Sequence, residues 1–401
     1  MCRYVWNRLV DRSQTLHELN PSILLCGAEP MPFGRKQADA YLTVLRRTTV
    51  NEHGEHWLAT GSSVAQQQLV LDFSKSRTKA LKDLMGMAPI WKRAGLPRFK
   101  KRATDTISLN YTRRGFSLRE DATGELRLRL PAGISIPVVW SRALPTAPSS
   151  VRVFQDNLGH WYASFVVDEL EATTQAVRSD VAVGIDWGVS ETATTAQVNL
   201  ATGAIDETTA FDLPHHQFAA RAQTRVAQEQ RKMARRRKPK GQHPSRGYRL
   251  AKFKTARAQK KVARQRKDTA NKWAKNLVAE HEHIAVEDFK PKFLAKSTMA
   301  KKAADAAIGA TKEALLWQGI KQGRTIELVN PAHTTMDCAH CGARAKHRLP
   351  LGQRVYTCDQ CGVSRSRDKN SAAVMVARAG FIPAKAEGVR RKLAAVLVSA
   401  S

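Results

Sequence analysis

The spacing of apolar residues shifts along this chain, and each shift predicts a change of element. Up to about Leu84 the pattern is helical: Val64, Leu69, Val70, Phe73, Leu81 and Leu84 recur at helical spacing behind Ser63, a residue suited to capping, with lysine and arginine between them. A small helical module with a basic face is expected there. After Gly95-Leu96-Pro97 the period falls to two, in Ile107, Leu109 and Tyr111, then Leu126, Leu128 and Leu130, then Val151 and Val153. Asp156-Asn157-Leu158-Gly159 supplies turn residues before a strand from Trp161 to Val167, so a hairpin should complete an antiparallel barrel or sheet.

A second domain opens at Val181. Val181, Val183 and Ile185 alternate with small residues, Asp186-Trp187-Gly188 ends the strand, and Thr192 to Val198 reads as its antiparallel neighbour. A loop is expected over Arg231-Lys232 and Arg235-Arg236-Arg237-Lys238-Pro239-Lys240. A long helix should follow from Arg246 to Glu280, burying Leu250, Phe253, Trp273 and Leu277. Ile284-Ala285-Val286-Glu287 returns to strand, and Lys369 to Ala379 to helix. The end of the chain, with Arg390-Arg391-Lys392, reads as a weakly ordered tail.

Charge narrows the function. Against 66 lysines and arginines stand 35 acids, a net charge of +31, which points to a polyanion partner and away from small-molecule chemistry. The excess is local: from Arg221 to Lys267 there are 19 basic residues and one acid, Glu229. Aromatic residues make up only 6%, which argues against a protein that works mainly by base stacking. No apolar run reaches the roughly 18 residues of a spanning helix, and the first residues lack a signal-peptide pattern, so no membrane role and a cytoplasmic location are expected.

The cysteines carry the most specific local signal. Cys338 and Cys341 form one Cys-x-x-Cys pair, Cys358 and Cys361 another, with 16 residues between the pairs and Gly342 or Gly362 after each. Four thiolates so spaced close a tetrahedral zinc site with no open position, a folding staple. Cys2 and Cys26 stand apart as buried or incidental thiols, and no disulfide framework is expected.

Three acids stand out by position: Asp186 and Glu287 at strand ends, and Asp368 before a helix. Each has an ordinary explanation, respectively an Asp-x-Gly turn, a solvated edge acid and an N-cap. Together, in so basic a chain, they are also the parts of a divalent-metal site facing a phosphate backbone.

Val183-Gly184-Ile185-Asp186-Trp187-Gly188 with Thr192-Ala193-Thr194, then Ile284-Ala285-Val286-Glu287-Asp288-Phe289, then Arg367-Asp368-Lys369-Asn370-Ser371-Ala372-Ala373 directly after the cysteine quartet, resemble in order the three nuclease motifs of the OrfB/TnpB family. That family is encoded by insertion sequences and related to compact type V CRISPR effector nucleases. Cys2-Arg3-Tyr4-Val5-Trp6-Asn7, Leu96-Pro97-Arg98-Phe99-Lys100 and Trp161-Tyr162-Ala163-Ser164 are similar to its other segments, so the likeness runs to about residue 380. It implies a multidomain α/β protein: a helical recognition domain over 1–90, a β-barrel wedge domain over 91–175, an RNase H-like (RuvC) nuclease domain over 176–330, a zinc ribbon over 331–365, the last nuclease motif over 366–380, and a flexible tail over 381–401. The family usually carries a barrel strand ahead of the Cys2 segment, so the first strand is expected to be missing; Thr335-Met336-Asp337 also departs from the usual pattern, with an effect expected only on ribbon packing.

The resemblance further implies that Asp186, Glu287 and Asp368 bind two magnesium ions, one activating water and one stabilising the leaving oxygen. A single structural zinc on Cys338, Cys341, Cys358 and Cys361 completes the cofactors. The partners would be a guide RNA and a double-stranded DNA target, with base pairing supplying sequence recognition and the protein a cationic channel. Arg231, Lys232, Arg235, Arg236, Arg237, Lys238, Lys240, Arg249, Lys252, Arg257, Lys260 and Lys261 are the expected channel lining. The leading expectation is an RNA-guided DNA endonuclease acting by two-metal hydrolysis. Its alternatives are a guide-directed DNA binder that does not cut, a transposase or transposition accessory, and a plain zinc-ribbon regulator.

Overall fold

A computed structural model describes residues 1–87, 89, 93–101, 105–106, 108–168, 177–239, 241–289, 297–350 and 352–381. The chain divides into two units, Met1–Leu170 and Glu171–Ser401.

In the first unit three helices, α1 (Cys2–Leu25), α2 (Arg35–Thr48) and α3 (Ser63–Lys82), bury Val5, Leu9, Leu42, Val70 and Phe73 in one core. Ser62 caps α3, its hydroxyl accepting from the Ala65 N–H at 3.3 Å, so Ser63 is instead the first helical residue. Leu84 lies beyond the helix end and is exposed. The segments flagged around Trp6 and Lys100 meet here: the Trp6 indole donates to Arg98 O (2.8 Å), the Asn7 side chain exchanges two bonds with the Lys100 backbone, and Lys100 Nζ sits 3.8 Å from the Trp6 ring centroid. Two apparently separate motifs are thus the two halves of one clamp.

Six strands follow: β1 (Ser108–Thr112), β2 (Ser117–Glu120), β3 (Leu126–Leu130), β4 (Ile134–Pro137), β5 (Ser150–Gln155) and β6 (Trp161–Val166). They form two three-stranded antiparallel sheets, ordered β1-β5-β6 and β2-β3-β4, around a core with Tyr111, Leu128 and Val151 at its centre. The expected barrel is therefore not continuous among the described residues. The predicted hairpin is present, with the Asp156 carboxylate accepting from the Leu158 and His160 N–H groups and Gly159 at φ +86°. Ile107 lies outside the described residues.

The second unit is built on a mixed sheet. β7 (Arg178–Trp187) pairs antiparallel with β8 (Glu191–Asn199) and parallel with β11 (His281–Glu287), which pairs parallel with β12 (Thr325–Val329). The short β9 (Ile205–Asp206) and β10 (Leu213–Pro214) pair with β8. Between β10 and β11 run α4 (Phe218–Arg235) and the 35-residue α5 (Arg246–Glu280); α6 (Ala300–Ala306) and α7 (Ile308–Gln322) precede β12. The small hairpin β13 (Val355–Thr357) with β14 (Ser364–Ser366) leads into α8 (Arg367–Arg378).

Strand alternation divides the sheet faces. Val183, Ile185, Ile284 and Val286 pack with Trp273, Leu277 and Leu315 from α5 and α7, whereas Ala182, Ala196 and Ala285 pack with Ala372, Met375 and Val376 of α8. Small residues on the second face let α8 lie almost on the sheet. A Cβ on Gly184 would stand 1.8 Å from Ala372 O, so only glycine permits this approach.

Two expectations for the basic region are corrected. Arg231, Lys232 and Arg235 are helical, in α4, because their lysine and arginine content favours helix until Pro239 intervenes. Leu250 and Phe253 are 53% and 43% exposed; α5 instead turns Ala251, Thr255 and Val262 inward, since small residues suit its close packing against α4. Lys240 and the tail with Arg390, Arg391 and Lys392 lie outside the described residues. No helix among the described residues is long and apolar enough to cross a membrane.

Candidate functional site

The register of two parallel strands brings the first two acids together. Val286 is paired with Ile185, so Glu287 and Asp186 follow side by side at the carboxyl ends of β11 and β7. By alternation both belong to the α8 face, and the first turn of α8 carries Asp368 there. Glu287 is only 7% exposed, its carboxylate accepts from the Trp187 N–H at 3.1 Å, and the Trp187 indole donates to its backbone oxygen at 3.1 Å. It is not a solvated edge acid. Asp368 lies inside α8, with Ser366 at the N-cap position, so the capping explanation fails too.

The electrostatics follow from this placement. Burial first, then the charges of Glu287 and Asp368, hold the Asp186 carboxyl well above the ordinary range, with Arg367 partly opposing them. Burial pushes Glu287 up to about 7 against the Trp187 hydrogen bond and the charge of Lys312. Lys312 Nζ bonds the neighbouring Asp288 at 2.5 Å. Asp368 is differently held: Arg367 Nε and Nη2 lie 3.2 Å from Oδ1, and Arg354 Nη1 lies 3.5 Å from Oδ2. The three acids share a neighbourhood without closing to the 4.8 Å spacing that the cysteine quartet reaches among the described residues.

That quartet is far more compact. Cys338 and Cys361 sulfurs are 3.8 Å apart and those of Cys341 and Cys358 3.6 Å, close to the about 3.8 Å edge of a tetrahedron with Zn–S bonds of about 2.3 Å. Two matching knuckles build it: Gly342 N–H donates to Cys338 O and Gly362 N–H to Cys358 O, each at 2.9 Å, with both glycines at positive φ. Against burial, the Cys361 and Gln360 N–H groups draw the Cys358 thiol down to about 6. This donor set fits a zinc ion. Of the other thiols, Cys2 is half-buried and Cys26 exposed.

The residues around Asp368 reach in different directions. Asn370 binds the ribbon, donating to Asp337 O (2.7 Å) and accepting from the Ala339 N–H (3.0 Å). Asp337 itself pairs with Arg344 and Arg378, a packing role. Lys369 is the residue that sequence reasoning missed. Its buried ammonium donates to Thr195 O, Thr208 O and both Asp212 oxygens at 2.7–2.9 Å, tying α8 to β8 and the segment ahead of β10. The available signal was a lysine beginning an otherwise apolar helix face, which needs a buried anion.

The channel residues are spread over one hairpin of helices. Arg231 and Arg235 are exposed on α4, where Lys232 pairs with Glu229. Arg236, Arg237 and Lys238 occupy the following turn, and Arg236 donates to Gly247 O. Arg249, Lys252, Arg257 and Lys261 are exposed on α5, with Lys260 half-buried.

Comparison with known proteins bears on this layout. Residues 164–298 match the OrfB_IS605 family model, described as probable transposase, and residues 309–375 match the Cas12f1-like TNB domain. A Streptomyces pristinaespiralis protein described as "Putative RNA-guided DNA endonuclease" is 32% identical over 303 residues, covering 75% of this chain and 69% of its own. The chain belongs to the OrfB/TnpB family. Escherichia coli K12 InsQ, which carries the same description, is 26% identical over 97% of this chain and 89% of its own. Among solved structures, a Cas12f1–sgRNA–target DNA complex matches this OrfB/TnpB chain with a TM-score of 0.55 at 13% identity, over 93% of this chain and 81% of that one, a likeness of fold.

Proposed function

We propose that the protein is an RNA-guided DNA endonuclease encoded by a mobile element, with Asp186, Glu287 and Asp368 as its metal-binding acids in an RNase H-like (RuvC) nuclease domain. The observation that carries this is the placement of Asp186 and Glu287 one residue beyond the paired Ile185 and Val286 at adjacent parallel strand ends, under a helix whose first turn supplies the third acid. The names of its relatives support the same reading. Oxygen-only donors suit magnesium, and two neighbouring acids whose carboxyls are both held above their ordinary range are an environment a divalent cation relieves. When bound, magnesium supplies Lewis-acid polarisation of a phosphodiester and neutralises its developing charge.

The chain's own groups prepare that site. The Trp187 N–H orients the Glu287 carboxylate, Lys369 fixes the start of α8, and Arg354 with Arg367 balances Asp368. The cysteine quartet would hold a zinc ion that staples the ribbon, which Asn370 docks on α8. The basic faces of α4 and α5 bind the backbone of guide RNA or of its duplex with DNA, while base pairing selects the target.

Purified protein with the transcript flanking its gene and magnesium should cut matched double-stranded DNA, and Asp186→Ala should not. Intact DNA in both reactions would count against the reading. The two arginines on Asp368 favour the alternative of guide-directed binding without cleavage; guide-dependent gel shifts with no nicked product would establish it.

A further inference from the structure

Leu250 and Phe253 lie where burial was expected, and both are exposed. With 3.6 residues per turn, Arg249, Leu250, Phe253, Arg257 and Lys261 fall on one stripe of α5, roughly 18 Å long. Ala251, Thr255 and Val262 occupy the opposite, buried face, where Thr255 Oγ1 reaches the Met233 sulfur of α4 at 3.6 Å. No acid occurs between Arg246 and Lys267. Phe253 is thus partly exposed on a stripe of α5 whose charged residues are all cationic.

A stripe that only follows phosphates needs no aromatic side chain. A ring flanked by arginine and lysine has the chemistry to stack on a base while the cations hold its phosphates. Double-stranded DNA keeps its bases stacked inside the helix; folded RNA presents unstacked bases in loops, bulges and ends. A lipid surface is disfavoured, because an interfacial helix needs a broad apolar face, and the apolar face of α5 is already buried.

We infer that Phe253, backed by Leu250, is a stacking platform for an unstacked base of the guide RNA, held in place by Arg249, Arg257 and Lys261. This rests on the reading of the protein as RNA-guided, and it assigns one base contact within a surface otherwise blind to sequence. The 6% aromatic content fits a single platform better than a protein that binds by stacking throughout.

The test uses the full-length protein and two RNA hairpins of equal length and charge, one with an ordinary single-stranded overhang and one with an abasic overhang. The protein should bind the base-bearing RNA about tenfold more tightly. Phe253→Ala should erase that preference, leave the salt dependence of binding unchanged and melt at the same temperature, while Phe253→Tyr keeps the preference. Equal affinity of the unsubstituted protein for both hairpins, or a Phe253→Ala variant that retains the preference, overturns the inference, as does Phe253-dependent binding to phosphatidylserine vesicles in place of RNA.

A variant with Arg249, Arg257 and Lys261 all changed to glutamine separates the two levels. A shallower salt slope with a weakened base preference supports a platform held by these cations; a shallower slope with an unaffected preference shows that Phe253 stacks without them and overturns their holding role. No change in either overturns the RNA-binding surface itself.

Discussion

The cysteine quartet, compact enough to hold a metal ion, is assembled from two local knuckles, whereas the acidic trio is gathered from remote segments of the chain. The cysteine sulfurs already stand at tetrahedral spacing, because two short knuckles with glycine turns fix them through local hydrogen bonds. The acids come from residues about 80 to 180 positions apart, and their placement depends on strand register, on Gly184 and on anchoring of α8. Burial raises the Cys338 and Cys341 thiols, which can be neutral while they wait. Carboxylates repel, and here burial first and the charges of Glu287 and Asp368 second keep Asp186 raised, while two arginines pair with Asp368. A structural site can be local; a site that must hold charge against charge is a property of the whole domain.

The largest effect should come from breaking the assembled site. Cys338→Ser, or removal of zinc by a chelator, should unfold the ribbon, with a loss on the order of 10 kcal/mol of metal-coupled folding energy. Zinc content by mass spectrometry should fall from one per chain, while Asp186→Ala leaves it at one.

Next comes the trio. Asp186→Ala should lower guided cleavage by roughly a thousandfold, the loss expected when several kcal/mol of metal-borne stabilisation disappears. Guide RNA affinity should stay within about twofold, since the substitution leaves the basic helices untouched.

Breaking the anchor of α8 tests the dependence on remote packing. Lys369→Met leaves the Asp212 carboxylate buried without its cation and should cost about 3–5 kcal/mol, read as a lower denaturation midpoint. Lys369→Met with Asp212→Asn should recover part of that loss. Both variants should need more magnesium for half-maximal cleavage, because the start of α8 that carries Asp368 is no longer pinned.

The smallest effect is a matter of protons. Glu287 has its folded pKa raised from 4.5 to about 7, so between these values the folded protein holds a proton that the unfolded chain has released. Without magnesium, stability should therefore fall as pH rises from about 4.5 to about 7 and level off above. Magnesium, which needs the ionised form, should bind more tightly across the same rise and flatten the curve. Thermal melts at several pH values, with and without the ion, would show it.

Much of this was legible in order along the chain. The long helix was expected from Arg246 to Glu280 and α5 has those ends; Val183 and Ile185 alternate onto one face as their spacing predicted. The three acids could be named individually, because each sits beside a strand or helix boundary. Their nearness could not be read, since register between β7 and β11 is set by the sheet as a whole. Lys369 stayed hidden for the same reason: its partner Asp212 lies 157 residues away. Leu250 and Phe253 misled because apolar character alone does not say which side of a helix is inside, and α5 uses alanine and threonine there.

Titration with manganese, a paramagnetic substitute for magnesium, tests the central claim most directly. Electron paramagnetic resonance should count two ions bound per full-length chain, with Asp186→Ala and Glu287→Gln losing them while zinc stays at one. Equal manganese binding by all three proteins would contradict an acidic pocket formed by these residues.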